Sequence, residues 1–126
     1  MTKQKLTIDS LFTDGASFDE PELIVAIQPY VTIQRNTNEI FLKDSSLSVQ
    51  KKILTYGLAK KLLKTKNHID DETITPLEIK QKTGIKKGSV DSSFKRLKDK
   101  GLLVGKGNYE IPNLKISHII NLLKNL

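Results

Sequence analysis

The stretch from Thr75 to Ile111 constrains the fold of this chain more than any other part. It opens with the capping-box motif T-P-L-E, in which the Thr75 hydroxyl can accept from the amide of Glu78 and the Glu78 carboxylate can reach back to the amide of Thr75. Pro76 falls at the first helical position, where its missing N–H costs nothing. Gly84 suits the left-handed residue that ends a helix. The sequence therefore predicts a short helix between Thr75 and Gly84.

A second helix and a hairpin are predicted directly after this one. Residues 85–88 read as a tight turn, and a helix then runs from about Ser89 to Lys100. Its apolar side chains follow one stripe at i, i+4 and i+7, formed by Val90, Phe94 and Leu97. Residues 102–111 then alternate between strand formers and a glycine turn, which predicts a β-hairpin with a lysine at its tip.

The opposite face of the second helix has the composition of a DNA-contacting surface. At 100° per residue, Ser92, Lys95, Arg96 and Asp99 point away from the apolar stripe, and Ser89 lies at the N-terminal edge of this face. Small residues allow close approach to a duplex, and hydroxyls and lysines can bond phosphates. One arginine can read a guanine edge in the major groove.

In this order of elements, the stretch TPLEIKQKTGIKKGSVDSSFKRLKDKGLLVGKGNYEI resembles winged helix-turn-helix DNA-binding domains. The resemblance implies that residues 89–100 form the recognition helix and residues 102–111 form the wing. It also implies a set of contact positions on that helix, which are Ser89, Ser92, Ser93 and Arg96. Phosphate neutralisation is expected from nearby lysines, which are Lys86, Lys87, Lys95 and Lys106.

The expected fold class is mainly α with a small β component, and 126 residues suffice for one domain with a modest core. We expect a winged helix-turn-helix with an N-terminal β-hairpin extension and a C-terminal helix. The expected boundaries are an acidic extension over residues 1–45, the core over residues 46–112, and the C-terminal helix over residues 113–126.

The N-terminal third is the least decidable region. We expect residues 1–5 to be disordered and residues 6–18 to be irregular, apart from one short extended piece. Residues 19–28 fit either a helix that opens near Pro21 or a buried strand. Residues 30–43 predict a hairpin whose loop is rich in Asn and Thr, and its second arm could pair with the wing strands.

Two further helices are predicted around the central stretch. The longer one, Val49 to Lys64, has an apolar stripe and several lysines, and Gly57 within it indicates a closely packed neighbour. The other runs from residue 114 to residue 126, with Asn113 as its cap. Its stripe of Ile and Leu residues predicts the seam of a homodimer, or else packing on the longer helix within one chain.

Charge is distributed unevenly along the chain, whose formal net charge is +7. Residues 1–45 contain four basic and seven acidic residues, whereas residues 46–126 contain 17 basic and seven acidic residues. This asymmetry predicts a nucleic-acid-binding C-terminal part and an acidic N-terminal segment that could meet a protein partner.

Other kinds of chemistry have little support in the sequence. Four carboxylates cluster at Asp14, Asp19, Glu20 and Glu22, but no histidine lies nearby and no metal-loop spacing is met. His68 and His118 stand without a second ligand or a triad partner. The chain has no cysteine, no signal-peptide core and no apolar run near 18 residues. We therefore expect no enzymatic activity, cofactor or metal, and a cytoplasmic protein that does not bind membranes.

The function that the sequence predicts best is double-stranded DNA binding by a transcriptional regulator, with helix 89–100 in the major groove. The alternative is a winged-helix module that binds protein within a transcription or replication assembly.

Overall fold

The computed structural model of this protein describes residues 18–43 and 46–124, and its fold is α+β. Within these ranges there are five α-helices, which are α1 (Glu20–Ile27), α2 (Val49–Thr65), α3 (Pro76–Thr83), α4 (Lys87–Asp99) and α5 (Ile116–Lys124). Two antiparallel hairpins are formed by four short strands, which are β1 (Val31–Ile33), β2 (Ile40–Leu42), β3 (Val104–Lys106) and β4 (Asn108–Glu110). The expectations for residues 1–17, including Asp14 of the acidic cluster, lie outside the described residues.

Helix α2 is the centre of the core, and α1, α4 and α5 all pack against it. Its side chains are buried over most of its length, among them Ile53, Leu54 and Leu58. The buried residues of α1 and of the β1–β2 hairpin belong to the same hydrophobic cluster as those of α2 and α5. Residues 18–43 are therefore part of the main core rather than an appended segment.

Residues 20–27 form a helix, and the alternative of a buried strand is wrong. The backbone N–H of Glu22 donates to Asp19 Oδ1 at 3.1 Å, so Asp19 caps the first turn. The buried residues Leu23, Ala26 and Ile27 are spaced by three and four positions, which matches one face of a helix.

The β1–β2 hairpin does not pair with the second hairpin, contrary to expectation. β1 and β2 pair only with each other, with Thr32 opposite Phe41. The backbone partner of the second hairpin is instead Ile74, in the segment before α3. The Ile74 N–H donates to the Tyr109 carbonyl at 2.7 Å, and the Tyr109 N–H donates to the Ile74 carbonyl at 2.8 Å.

Helices α3 and α4 confirm the prediction of two short helices between Thr75 and Lys100. The Glu78 N–H donates to Thr75 Oγ1 at 3.1 Å, and Gly84 has a left-handed φ of 72°. The reciprocal half of the capping box is absent, because the Glu78 carboxylate instead accepts from Tyr56 Oη at 2.6 Å and from Lys60. Helix α4 begins at Lys87, two residues earlier than expected.

The predicted close neighbour of Gly57 is confirmed. A Cβ atom at this position would lie 3.0 Å from Ile111 Cδ1. Lys61 differs from the other lysines of α2, which are half-buried or exposed, because its side chain is buried. Its Nζ lies 2.7 Å from Glu72 Oε2 and donates to Asn113 Oδ1 at 2.5 Å.

The C-terminal helix is shorter than expected and its apolar stripe is covered. A 3-10 turn over Asn113–Lys115 precedes α5, and Asn113 binds Lys61 instead of capping the helix. The four stripe residues are buried against α1 and α2, and they are Ile116, Ile119, Ile120 and Leu123. The stripe therefore cannot be the seam of a homodimer, and of the two alternatives the packing within one chain is observed.

Candidate nucleic-acid interface

Helix α4 has one buried face that fixes its orientation. Val90, Phe94 and Leu97 are buried, as the sequence predicts. Ser93 is buried with them, at 7% exposure, which corrects its assignment as a contact residue. Its burial follows from spacing, since Ser93 lies three residues after Val90 and four before Leu97, on the same face of the helix.

The remaining predicted contact residues all lie on the surface. Arg96 and Lys95 of α4 are exposed, together with Lys86 before the helix and Lys106 in β3. Ser89 and Ser92 are exposed as well, and the Ser92 hydroxyl donates to the Ser89 carbonyl at 3.2 Å. That bond leaves the lone pairs of the Ser92 oxygen free to accept a hydrogen bond from a ligand.

The start of α4 differs from the starts of the helices around it. Side chains cap α1, α2 and α3, through Asp19, Ser48 and Thr75. Lys86 at the N-cap position of α4 makes no such hydrogen bond. The first amides of a helix have no partner within the helix. At α4 they adjoin two exposed lysines, Lys86 and Lys87, in an arrangement that favours an anion.

Cations of the described residues separate into paired and unpaired sets. The paired set lies on α2, on the residue that follows it and on α3, and consists of Lys60, Lys61, Lys64, Lys66 and Lys82. Within residues 18–43 and 46–124, the second set includes the cations of the candidate interface, which are Lys86, Lys87, Lys95, Arg96 and Lys106. It also includes cations elsewhere, such as Lys51 and Lys52 of α2 and Lys80 of α3. Unpaired charges keep their full attraction for an external anion.

The second hairpin is held against α4 by an aromatic contact. The rings of Tyr109 and Phe94 have centroids 5.1 Å apart and are tilted by 52°. Gly105 and Gly107 have positive φ values of 129° and 84°, which give the short turn that presents Lys106. At Gly105 an added Cβ would lie 2.0 Å from the Asn108 carbonyl oxygen, so this turn tolerates no other residue there.

Behind the hairpin lies a polar cluster that the sequence analysis did not foresee. Glu72 binds the buried Lys61, and its hydrogen bond with Glu110 of β4 raises the pKa of Glu110 above the usual value of 4.5. Partial burial and the charge of Glu72 act in the same direction. The cluster joins β4 to α2, so it supports the hairpin from the side away from solvent. Its members are more than ten residues apart in the chain, so no local pattern could have revealed it.

Three exposed residues of α4 were also missed as candidate contacts. Asp91 and Lys98 flank the predicted face, and Gly88 lies near its centre with open space where a Cβ would stand. The angular spacing that places Ser92 and Lys95 on this face would have found Gly88 as well, at four residues before Ser92.

The described part of the chain was searched for metal-ligand clusters and for membrane-spanning helices. There, no group of three or more His, Asp or Glu residues is placed to hold a metal ion. None of the helices in residues 18–43 and 46–124 is both long and apolar enough to cross a membrane.

Comparisons with protein-family models, with curated proteins and with solved structures gave no match for this chain.

Proposed function

We propose that this protein binds double-stranded DNA as a winged helix-turn-helix transcriptional regulator, with α4 in the major groove. The observation that carries the proposal is the group of five exposed, unpaired cations on α4, at its start and on the neighbouring hairpin. No ion pair within the described residues involves the cations on and beside the exposed face of α4, whereas three lysines of α2 and one of α3 are paired with carboxylates. A surface that leaves several cations unpaired beside uncapped helix amides suits the phosphate backbone of a duplex.

Two kinds of contact are expected from this surface. Lys86, Lys87 and the first amides of α4 would bind a phosphate, because they adjoin each other at the start of the helix. Farther along, Ser92 and Arg96 would face base edges, and Arg96 has the planar fork that guanine O6 and N7 accept. The exposed carboxylates of Asp91 and Asp99 would repel misplaced phosphates and so restrict the docking register.

The β3–β4 hairpin is proposed to act as the wing, with Lys106 on a neighbouring phosphate. Its pairing with Ile74 and its ring contact with Phe94 support this role, because both hold the hairpin beside α4. A contact group on a supported element is positioned more accurately than one on a free loop.

Selection from a random duplex pool tests the proposal directly. We expect an enriched motif with the full chain and loss of enrichment for the double variant Lys95→Gln/Arg96→Gln. The matched control is Lys66→Gln/Lys82→Gln, which removes the same charge from residues that are paired with Glu20 and Glu39. Recovery of no duplex by the unaltered chain, or equal loss in both variants, would contradict the proposal.

A specific observation supports the alternative function of a protein-binding module. Ile24 and Ile33, which are 46% and 37% exposed, line an apolar groove between α1 and β1, and exposed apolar surface of this kind often binds protein. A protein partner retained by the unaltered chain and lost with Ile24→Asp, in the absence of any duplex binding, would favour this alternative.

A further inference from the structure

A cavity of about 360 Å³ lies where the first turns of α2, the end of α4 and α5 meet. Three buried leucines, Leu54, Leu97 and Leu102, line its interior together with the half-buried Leu122. The volume falls at the lower end of the range for small-molecule sites, which are typically apolar with a few polar groups at fixed positions.

The rim of this cavity is cationic. Its charged side chains are those of Lys51 and Lys100, with His118 beside them, and among the described residues that line it none is a carboxylate. Lys100 Nζ donates to Gln50 Oε1 at 3.1 Å, which holds its ammonium group at the rim. Among the described residues, neither Lys51 nor Lys100 forms an ion pair. An apolar interior under an unpaired cationic rim is complementary to a molecule with one apolar body and one negative end.

We propose that this cavity binds a small aliphatic monocarboxylate, with the chain against the leucines and the carboxylate between Lys51 and Lys100. The leucine wall selects for an apolar body, because it offers no polar group beyond the rim. The lysines select for an anion over an alcohol or an amine of the same length.

The ligand would also touch the proposed DNA-contacting helix. Leu97 and Lys100 belong to α4 or directly follow it, so an occupant contacts the end of that helix. An effect on duplex affinity rests on the proposed function, but the binding of the carboxylate does not. Direct titration without DNA therefore tests the cavity even if duplex binding fails.

The test is a titration of the full chain with sodium octanoate, below its aggregation concentration, followed by amide chemical shifts and by calorimetry. We expect saturable binding that perturbs the amides of Leu54, Leu102 and Leu122. Each methylene that enters the cavity should strengthen binding about fourfold, so hexanoate should bind roughly an order of magnitude more weakly than octanoate. Octan-1-ol and octylamine should bind at least about tenfold more weakly than octanoate.

Matched variants assign the charge selectivity to the rim. Lys51→Gln/Lys100→Gln should lower octanoate affinity about tenfold and leave octanol unchanged. The control Lys95→Gln/Lys124→Gln, which removes the same charge outside the cavity, should leave both ligands unchanged. Equal affinity for octanol and octanoate, equal effects of the two double variants, or shift changes confined to other parts of the chain would overturn the proposal.

Discussion

The ring of Tyr109 in β4 lies against the ring of Phe94 in α4, with centroids 5.1 Å apart. Phe94 is almost fully buried, whereas Tyr109 is half-buried at the edge of the core. Because Tyr109 also exchanges two backbone hydrogen bonds with Ile74, the hairpin is tied to α4 on one side and to the segment before α3 on the other. The cations of α4 and of the hairpin are thus presented by one rigid unit.

Replacing Phe94 should disrupt this unit. Phe94→Ala removes a buried ring and leaves a cavity, so we expect a loss of about 3–5 kcal/mol in the free energy of unfolding, measured by urea denaturation. Tyr109→Phe is the control, since it retains the ring contact and should change stability by less than about 1 kcal/mol. Comparable stability of Phe94→Ala and the unaltered chain would show that the ring is not a core element.

Duplex affinity should fall steeply with salt. Four to six lysine–phosphate contacts per protomer would give a log–log slope of roughly −4 to −5, at about 0.9 per contact. Lys87→Ala should make this slope shallower by about 1, whereas Lys66→Ala, on the paired set, should leave it unchanged. A flat dependence between dilute and physiological buffer would remove the electrostatic part of the proposed function.

Arg96 and Lys106 should differ in what they contribute to recognition. Arg96→Ala should cost about 1–3 kcal/mol on the preferred duplex and relax selection at one base pair. Lys106→Ala should weaken all sequences alike, because it removes one phosphate contact. Both side chains are exposed, so melting temperatures should hardly move. If Arg96→Ala leaves the selected motif unchanged, Arg96 binds phosphate and the base-reading role fails.

A substitution at Gly88 should test whether a duplex lies close to the backbone of α4. Gly88→Ala places a methyl group in open space on a helix, so it should raise unfolding free energy by about 0.4–1 kcal/mol. The same methyl group would stand between the first turn of α4 and a phosphate, so duplex affinity should fall. Asn121→Ala, on the exposed side of α5, is the matched control: it should stabilise the helix and leave duplex affinity alone. Gains in both stability and duplex affinity for Gly88→Ala would contradict close approach.

The Glu72–Glu110 contact should make stability depend on pH. Its hydrogen bond raises the pKa of Glu110 in the folded chain, so the fold binds this proton more tightly than the unfolded chain does. The stability that this proton contributes is fully present below about pH 4.5. It is lost as the pH rises through the pKa of Glu110 in the folded chain. Glu110→Gln mimics the protonated carboxyl, so it should raise the melting temperature at pH 7 and match the unaltered chain near pH 4. Asp70→Asn, an exposed loop carboxylate, should have little effect at either pH.

Local chemistry made the helices around the candidate interface predictable. The Thr75 cap, the left-handed Gly84 and the stripe of α4 depend on neighbours within one or two turns, and each has its expected partner. The resemblance to winged helices assigned Ser93 as a contact residue, but the side chain is buried. Its helical spacing already placed it on the same face as Val90 and Leu97. Periodicity was the better guide at that position.

Long-range pairing could not be read from the chain in the same way. Ile74 pairs with Tyr109 across 35 residues, and the sequence around Ile74 has no strand pattern of its own. In the sequence Lys61 resembles the other lysines of α2, although among the described residues it is the one charged side chain that is buried. Its ammonium group contacts Glu72 and Asn113, which lie in two separate segments after α2. Neither partner is close enough in sequence for a local pattern to indicate the contact. For α1, eight residues were too few for periodicity alone to separate a helix from a strand.

The packing of α1 against α5 has a consequence for how the chain folds as it is synthesised. Leu23 and Ile27, near the start of the described chain, are covered by residues that follow almost a hundred positions later. Helices α3 and α4, by contrast, can pair soon after they leave the ribosome, since their contacts are local. The nascent chain therefore leaves the part of α1 that contacts α5 uncovered until α5 emerges, and that interval is when it is most open to chaperones and to aggregation.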